Sequence, residues 1–470
     1  MGDNKHLIHY LCFSFLLLIL SLSELPAQQI IRVDSIILTG NHKTKSYIIL
    51  REITFKTGDS LSPALLETKV AQSRENLLNI PLFNFVEAII DNDTIAPGRT
   101  VVRFNFTERW YIWPYPIVEV ADRNFNAWWR ARNISRLNFG GYLLIENFRG
   151  RLERLKLLAK WGFDQKFQVE YYRPYLNKSR TIGLLLQSEF MGNHEVAAST
   201  NQDNDVNFVK DDDHWIRTYF NLYGAIVYRP VIYNSHELGL GWSLNSVEDT
   251  LTRYNQELWP NKSEQYLTIR YQFKHDKRDY RHYPLNGRYI DFSLATYLPV
   301  QASSRKIQYT ETEANIRVYH PICTRWWWSG GLYGRLNSTK PASYYLMQGL
   351  GNSRNFVRGY EYYLIDGQQT FLAKTNVTFA LIRPTENQLP YIKNPKFGRI
   401  HYALYLRAFV DTGITHNDLE TLSSKLSNKW LIGYGLGCDL LTYYDKVLRV
   451  EYSFNQMGES GLFIHFTASI

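Results

Sequence analysis

Apolar and polar residues alternate at every second position through most of the chain after Trp110. The alternation is clearest in four segments: NIRVYH (315–320), YALYLRAFVD (402–411), KVLRVEYSF (446–454) and GLFIHFTASI (461–470). In KVLRVEYSF, Leu448 and Val450 share one face, and Arg449 and Glu451 share the other. A period of two predicts β-strands with one apolar and one polar face.

Such strands suit either a soluble sandwich or a transmembrane barrel, whose apolar face meets lipid and whose polar face lines the lumen. Aromatic residues near strand ends, and connections that alternate between short and long, favour the barrel. The short connections are predicted at four pairs that contain proline: Arg173-Pro174, Arg229-Pro230, His320-Pro321 and Arg383-Pro384. The 361 residues from Trp110 to Ile470 hold about 16 antiparallel strands of ~9–11 residues, and 12 or 14 strands with larger loops also fit.

The long connection predicted at 192–214 is polar and suits an outer loop. It ends in Asp211-Asp212-Asp213, three carboxylates in a row. A calcium loop needs ligands at a defined spacing, and that spacing is absent here. We therefore interpret the acidic run as a solvated loop and predict no metal site.

Residues 30–108 follow a different pattern, that of a small α+β domain. An apolar strand ends at the turn Gly40-Asn41, and Thr44 is predicted to cap a short helix that runs to Ile53. Ser62-Pro63 is predicted to open a second helix, which buries Leu66, Val70 and Leu77 on one face. FVEAII (85–90) and TVVRFNF (100–106) follow as strands, so the predicted order is strand, helix, helix, strand, strand.

This stretch resembles a POTRA domain, the polypeptide-transport-associated module. The resemblance is carried by the Gly40-Asn41 turn, the Gly58-Asp59 turn, and Leu82-Phe83 followed by Val86. We place the domain at 28–109 and the barrel at 110–470. Another small α+β domain is the alternative interpretation.

The first 27 residues have the pattern of a secretory signal peptide. Lys5 supplies a positive start, FSFLLLIL (13–20) forms the apolar centre, and Leu25-Pro26-Ala27 offers a cleavage site before Gln28. An uncleaved anchor helix is the alternative. No later run approaches 18 apolar residues, which leaves an exported soluble protein or a barrel.

Composition narrows the function classes. The mean hydropathy of −0.32 excludes a helical membrane protein, and the formal charge of +9 is spread along the chain rather than gathered into a basic block. We therefore predict no nucleic-acid partner, whereas a surface of anionic lipid suits this charge. Cys323 and Cys438 lie far apart in sequence without a C-x-x-C pair, which argues against redox or metal chemistry and leaves open whether they form a disulfide.

Four short motifs lie in order along the barrel region. They are Asp276-x-Arg278-Asp279…Pro284-x-x-Gly287, Val357-Arg358-Gly359-Tyr360, Phe409-x-Asp411-x-Gly413 and Gly433-Tyr434-Gly435-Leu436-Gly437. Together, behind a POTRA-like domain and a signal peptide, they resemble the Omp85 superfamily of surface-antigen-type barrels. The resemblance covers most of the mature chain. It implies an all-β transmembrane barrel of about 16 strands behind one β-α-α-β-β domain.

The resemblance also implies a role for the loop that contains Arg358. In the family this loop folds into the lumen, and its arginine pairs with acidic groups on the inner wall. Asp411 is the best partner here, because alternation places it on the polar face with Arg407. The family often has a glutamate on the next strand, where this chain has Asn376, so the pairing rests on Asp411 alone or on a carboxylate not identified from sequence. A solvated loop arginine is the alternative.

The C-terminal segment Glu459-x-Gly461-x-x-Ile464-x-Phe466 fits the β-signal by which barrel-assembly machinery recognises last strands. Its match is short, and four residues follow it. A plain closing strand is the alternative.

The function implied is assembly or insertion of β-barrel proteins, or translocation of polypeptides, at the bacterial outer membrane with the POTRA domain in the periplasm. The implied partners are unfolded outer-membrane or exported proteins, periplasmic or lipoprotein accessory subunits, and outer-membrane lipid. Two alternatives stay open: a two-partner-secretion transporter for one dedicated substrate, and a channel or structural barrel without a client. No catalytic motif of a hydrolase, metalloprotease or P-loop enzyme occurs, so we predict neither an enzyme nor a cofactor.

Overall fold

A computed structural model describes residues 30–92, 99–120, 137–300, 307–338, 343–351, 355–392, 394, 398–419, 424–442 and 446–465. The predicted signal peptide and Phe466 of the predicted β-signal lie outside these residues. The described residues form two compact units. The first consists of 30–40, 53–74 and the described part of 86–106, and the second consists of 41–52, 75–85 and the described residues from 107 onward. The domain boundary at residue 110 stays a prediction.

The N-terminal elements follow the predicted order. They are β1 (Ile31–Thr39), α1 (Ser46–Glu52), β2 (Ser60–Leu61), α2 (Pro63–Leu78), β3 (Phe83–Asn92) and β4 (Arg99–Glu108). The four strands form one sheet in the order β2-β1-β4-β3, in which β1 and β4 are parallel. Leu66, Val70 and Leu77 are buried on α2, as the helical period predicts. The two-residue strand β2 is an addition that the sequence pattern did not indicate.

The helix cap predicted at Thr44 is wrong. Helix α1 begins at Ser46, and the Thr44 hydroxyl donates a hydrogen bond to the Glu108 carboxylate at 2.7 Å. The Thr44 backbone N–H donates to the same carboxylate at 2.7 Å. The Thr44 hydroxyl therefore binds a carboxylate distant in sequence instead of capping the helix, as the local pattern predicted it would.

The remaining described strands are β5 (Ile112–Val120), β6 (Leu137–Phe148), β7 (Glu153–Gly162), β8 (Gln165–Arg173), β9 (Ile182–Asn193), β10 (Glu195–Thr200), β11 (Val206–Lys210), β12 (Arg217–Tyr228), β13 (Asn234–Val247), β14 (Ser263–Arg278), β15 (Gly287–Pro299), β16 (Tyr309–Cys323), β17 (Trp326–Asn337), β18 (Gln369–Gln388), β19 (Arg399–His416), β20 (Leu431–Thr442), β21 (Lys446–Asn455) and β22 (Ser460–His465). All except β10 and β11 form one antiparallel sheet of 16 strands, with β5 and β22 at the two ends of its order. The prediction of an all-β barrel of about 16 strands is confirmed.

The two faces of this sheet differ as the alternation predicts. On β19, Leu406 and Val410 are exposed, while Arg407 and Asp411 are buried. On β22, Leu462 and Ile464 are exposed and Phe463 is buried. The apolar face is therefore the outer face, and the polar face is covered by chain that folds into the lumen. Among the residues that the structure describes, no helix is both long and apolar enough to cross a membrane.

Two of the four predicted proline turns are wrong. Pro321 lies inside β16 and Pro384 lies inside β18, and the register of each strand with a neighbour shifts next to the proline. A bulge tolerates a residue without N–H, because the ladder is already interrupted there. Pro174, in contrast, directly follows the end of β8, and Pro230 lies two residues after the end of β12, as predicted.

The predicted outer loop at 192–214 is structured. It contains the hairpin of β10 and β11, and Ala198 of this hairpin belongs to a hydrophobic cluster with Trp259 and Met347. The cluster also includes residues of the short helix α3 (Asp249–Tyr254) and of a 3-10 turn (Tyr344–Leu346). Apolar residues inside this polar segment explain why it packs rather than extending into water.

Cys323 and Cys438 are both free. Cys323 lies at the end of β16 and is exposed, and Cys438 lies within β20. The sequence left open whether these two residues form a disulfide, and in the structure they do not.

Candidate functional site

Arg358 lies in the connection between β17 and β18 and is almost completely buried, with 3% of its surface exposed. Its Nε donates to Asp411 Oδ2 at 2.7 Å, and its Nη2 donates to Asp411 Oδ1 at 2.5 Å. The Arg358 backbone N–H donates to the same carboxylate at 3.2 Å. Asp411 is fully buried on β19. The loop arginine and the wall aspartate thus form a bidentate pair, which fixes direction as well as distance.

Two further strands contact the same guanidinium. Arg358 Nη1 donates to Asn376 Oδ1 on β18 at 2.8 Å and to Glu451 Oε1 on β21 at 3.2 Å. The Phe409 ring of β19 lies under the guanidinium, with its centroid 3.7 Å from Cζ. Asn376 therefore contacts Arg358 without supplying a charge, and Glu451 is the second carboxylate that the sequence did not identify.

The charges continue along the inner wall as a buried network. Arg407 Nη2 donates to Glu451 Oε1 at 2.5 Å, and Arg407 Nε lies 3.4 Å from Asp439 Oδ2. Arg449 grips Asp439 with two hydrogen bonds, at 2.8 and 3.1 Å. The network contains three buried arginines and three buried carboxylates: Arg358, Arg407, Arg449, Asp411, Asp439 and Glu451. Each arginine of the network lies beside at least one carboxylate, and this pairing offsets part of the cost of burying the charges.

The backbone around Arg358 fits closely against β20. Gly359 has φ +93°, a left-handed conformation that favours glycine. A Cβ on Gly433 would lie 1.7 Å from the Arg358 carbonyl oxygen, so this strand position accepts only glycine while the loop is seated. The first glycine of the predicted glycine-rich strand thus has a physical explanation.

The apolar residues of the loop motif form a small core of their own. Val357 and Tyr360 are each 1% exposed and pack with Leu372 of β18 and Leu431 of β20. Gly413 of β19 lies directly beside Val357. The loop is therefore held by apolar burial as well as by charge.

The first motif forms the turn between β14 and β15. Asp276 accepts two hydrogen bonds from Arg278, at 2.7 and 2.9 Å. The Asp279 carboxylate accepts the backbone N–H groups of Tyr280 and Leu285, which closes the turn, and Gly287 begins β15 with φ +106°. Within this turn, next to Pro284, the Tyr283 hydroxyl donates to Asp439 at 2.9 Å and its ring stacks on Tyr405 with centroids 4.6 Å apart. The first motif therefore delivers a tyrosine to the charge network.

Tyr283→Phe is expected to destabilise the folded barrel by about 1–3 kcal/mol, because a buried carboxylate loses a hydrogen-bond donor. The heat-resistant fraction of the protein on unboiled gels measures this effect. Tyr362→Phe is the matched control, since Tyr362 is exposed and its hydroxyl has no hydrogen bond among the described contacts. Equal stability of Tyr283→Phe and the control would contradict the assignment.

The loop also contacts the C-terminal hairpin. The Tyr363 hydroxyl donates to Glu459 at 2.8 Å, the Tyr362 ring lies 5.2 Å from that of Phe463, and Phe356 stacks on His465 at 5.7 Å. Of the predicted β-signal, Gly461 and Ile464 lie on β22, and Ile464 points to the outer face. Nothing in these contacts assigns a recognition role to the segment, which stays a prediction.

Glu361 is a partly buried carboxyl group of the loop. Its Oε2 accepts the backbone N–H of Gly359 at 2.7 Å, while its Oε1 is buried without a hydrogen-bond partner in the described part of the chain. Burial raises the pKa of the Glu361 carboxyl to about 7. The seated loop therefore binds a proton that the unfolded loop releases near the ordinary pKa of 4.5.

The seating of the loop should weaken as the pH rises from about 4.5 to about 7, because only the folded form retains the Glu361 proton in this window. Barrel melting temperatures at pH 5 and pH 8 measure the effect. Glu361→Gln keeps the acceptor for Gly359 but cannot ionise, so we expect its melting temperature to differ less between the two pH values than that of the native chain. An unchanged pH dependence in this variant would refute the assignment.

Three groups near Arg358 and its network do not follow from the sequence pattern. The pattern predicts for Glu451 only a place on the lumen face, and it indicates no role for Tyr283 of the β14–β15 turn or for Lys374 of β18. Lys374 has no ion pair or hydrogen bond with described residues, and its Nζ lies 4.4 Å from the centre of the Phe356 ring. Alternation did place Glu451 on the polar face, but only the sheet curvature brings it to Arg358.

Two family models match the chain. One, POTRA, described as surface antigen variable number repeat, matches residues 31–109, and the other, the Omp85 superfamily domain, matches residues 147–442. No curated protein matches the sequence.

Solved structures with the same fold include two barrels of low sequence identity. BamA from Haemophilus ducreyi lacking POTRA domains 1–3 is 15% identical with a TM-score of 0.50, over 93% of this chain and 84% of that chain. CdiB from Escherichia coli is 13% identical with a TM-score of 0.52, over 93% of this chain and 75% of that chain. At these identities the likeness concerns the fold.

Proposed function

The chain belongs to the Omp85 superfamily, and from this premise we propose that it inserts β-barrel proteins into the bacterial outer membrane or translocates polypeptides across it. The observation that carries the proposal is the buried seat of Arg358, on Asp411, Asn376 and Glu451. A client-free structural barrel has no evident need for a loop fixed inside its lumen at this cost in buried charge.

The contacts of Arg358 support a division of the barrel into strands that are held together from inside and strands that can separate. One guanidinium contacts β18, β19 and β21, and its carbonyl lies against Gly433 on β20. These four strands are therefore held together from inside. The ends of the sheet order, β5 and β22, are then the place where the wall can open to admit a polypeptide strand.

The N-terminal sheet supplies the second part of the proposal. In the order β2-β1-β4-β3, β3 is an end strand of ten residues, long enough to accept an extended client segment by strand addition. We propose that this domain lies in the periplasm and receives unfolded client there. Accessory subunits would bind in the same compartment.

Reconstitution tests the proposal. The full chain in liposomes should speed the appearance of a heat-resistant, urea-unfolded barrel client, compared with empty liposomes. Arg358→Ala is the variant to compare with the native chain, and client insertion should fall in it. No acceleration for several barrel clients would refute insertase activity.

Affinity capture with the full chain separates the alternatives within the family. Several barrel precursors on the chain would support insertion, one exported protein would support a two-partner-secretion transporter, and neither would favour a client-free barrel.

A further inference from the structure

Strand β5 has one edge that carries no ladder among the described residues. It ends the order of the 16-stranded sheet, its one partner in that sheet is β6, and β22 stands at the opposite end of the order. Its sequence, IWPYPIVEV, contains prolines at alternate positions, Pro114 and Pro116. The chemistry of this edge decides what can pair with β5.

The backbone groups of β5 divide between the two edges by position. The Glu146 N–H donates to the Tyr111 carbonyl at 2.8 Å, so residue 111 faces β6. Because the direction of N–H and C=O alternates along a strand, 113, 115, 117 and 119 also face β6. The free edge therefore carries the groups of 112, 114, 116, 118 and 120.

At three consecutive positions on that edge a backbone donor is missing or a backbone acceptor is occupied, and we call this stretch the blunted edge. Pro114 and Pro116 have no N–H to donate. The carbonyl of Ile112 accepts a hydrogen bond from the Trp110 indole N–H. Val118 and Val120, in contrast, keep both their donors and their acceptors on the free edge, and Val118 is 80% exposed.

The position of these prolines differs from that of Pro321 and Pro384. Pro321 and Pro384 each lie beside a shift in the register of their strand. The pairing of β5 with β6 continues through Pro114 and Pro116 without a shift, because the missing N–H groups lie on the other edge. The prolines therefore affect only a strand that is added to β5.

We propose that Pro114, Pro116 and Trp110 restrict strand addition on β5 to its Val118–Val120 end, and so set where an extended client segment pairs with the barrel. A strand laid opposite the prolines would leave its own carbonyls without donors, which is costly where lipid replaces water. Opposite Val118 and Val120 it can form both kinds of bond. The identity of the added strand as client rests on the proposed function, whereas the blunted edge does not.

The first experiment tests the edge without a client. In the full chain in lipid nanodiscs, Pro114→Val/Pro116→Val restores two donors while keeping an apolar outer face. We expect amides of β22 to exchange at least about tenfold more slowly in this variant than in the native chain, because β22 can then form a longer ladder. Pro321→Val is the control, for which β22 exchange stays unchanged. Unchanged β22 exchange in the double variant would overturn the blunted edge.

The second experiment locates the client strand. In a Cys323→Ser/Cys438→Ser background, single cysteines at Ile112 or Val118 are tested for disulfides with a barrel client that has one cysteine in its last strand. We expect crosslinks at 118 to exceed those at 112 at least about fivefold, and Pro114→Val/Pro116→Val to remove the difference. Equal crosslinking at both positions in the native sequence would overturn the inference.

The two failures can be distinguished. If the client inserts but crosslinks at neither position, the inference about β5 fails and the proposed function stands. If the client does not insert at all while the double variant slows β22 exchange, the proposed function fails, and the blunted edge stands as a property of the barrel without a client.

Discussion

Arg358→Ala is expected to lower the free energy of unfolding of the barrel by about 3–5 kcal/mol, because removal of one partner leaves a buried charge without compensation. All the hydrogen bonds described for the Asp411 carboxylate are donated by Arg358, and Asp411 is fully buried on β19. The variant also loses the hydrogen bonds to Asn376 and Glu451. Urea unfolding in lipid vesicles and the heat-resistant fraction on gels measure the loss, and reconstituted client insertion should fall with it.

A double-mutant cycle identifies the pair. Asp411→Ala alone should also be harmful, since it leaves the buried guanidinium with only part of its compensation. The double variant Arg358→Ala/Asp411→Ala should be no worse than either single variant, because no orphaned charge of the pair remains. Additive losses would show that the two residues act independently, and a silent Arg358→Ala would refute the loop as an internal brace. Arg288→Ala is the control, because Arg288 is an exposed arginine on β15 outside this network.

Gly433→Ala is expected to displace the loop although it adds only one methyl group. The new Cβ would lie 1.7 Å from the Arg358 carbonyl oxygen and 2.9 Å from its carbonyl carbon. Backbone atoms held by a bidentate pair cannot move aside as a flexible side chain can, so the variant must either strain β20 or unseat the loop. We expect a loss of stability of about 2–3 kcal/mol, toward the upper end of ordinary overpacking costs, and a parallel loss of client insertion.

The matched control is Gly334→Ala on β17, where the nearest atom to the added Cβ lies 4.0 Å away. Its stability should stay within about 0.5 kcal/mol of the native value. Trypsin cleavage after Arg358 reports loop position directly: it should be slow in the native chain and in Gly334→Ala, and fast in Gly433→Ala. Protection of Arg358 in Gly433→Ala would contradict the proposed seat.

Much of the fold could be predicted from the sequence, because periodicity depends on local geometry. Alternation on β19 and β21 separates outer from inner residues, since a strand turns each side chain to the opposite face of its neighbour. The helical period of α2 identified Leu66, Val70 and Leu77 as buried. Predictions from local pattern were wrong where a residue distant in sequence binds the same group, and where an irregular strand accepts a residue typical of turns. Thr44 binds Glu108 instead of capping α1, and Pro321 lies in a strand because a bulge tolerates it.

The sequence by itself determined the class of protein and one half of its central contact. The motif with Arg358 and the polar face with Asp411 are both visible in the linear chain, and the family explains their pairing. Only the tertiary structure decided the rest of the seat, because Asn376, Glu451 and Gly433 lie on separate strands that meet at one point when the sheet curves around the loop. Only strand pairing likewise decided which edge of β5 faces β6. Sequence specifies which faces residues occupy, whereas the curvature and order of the sheet specify which of those faces meet.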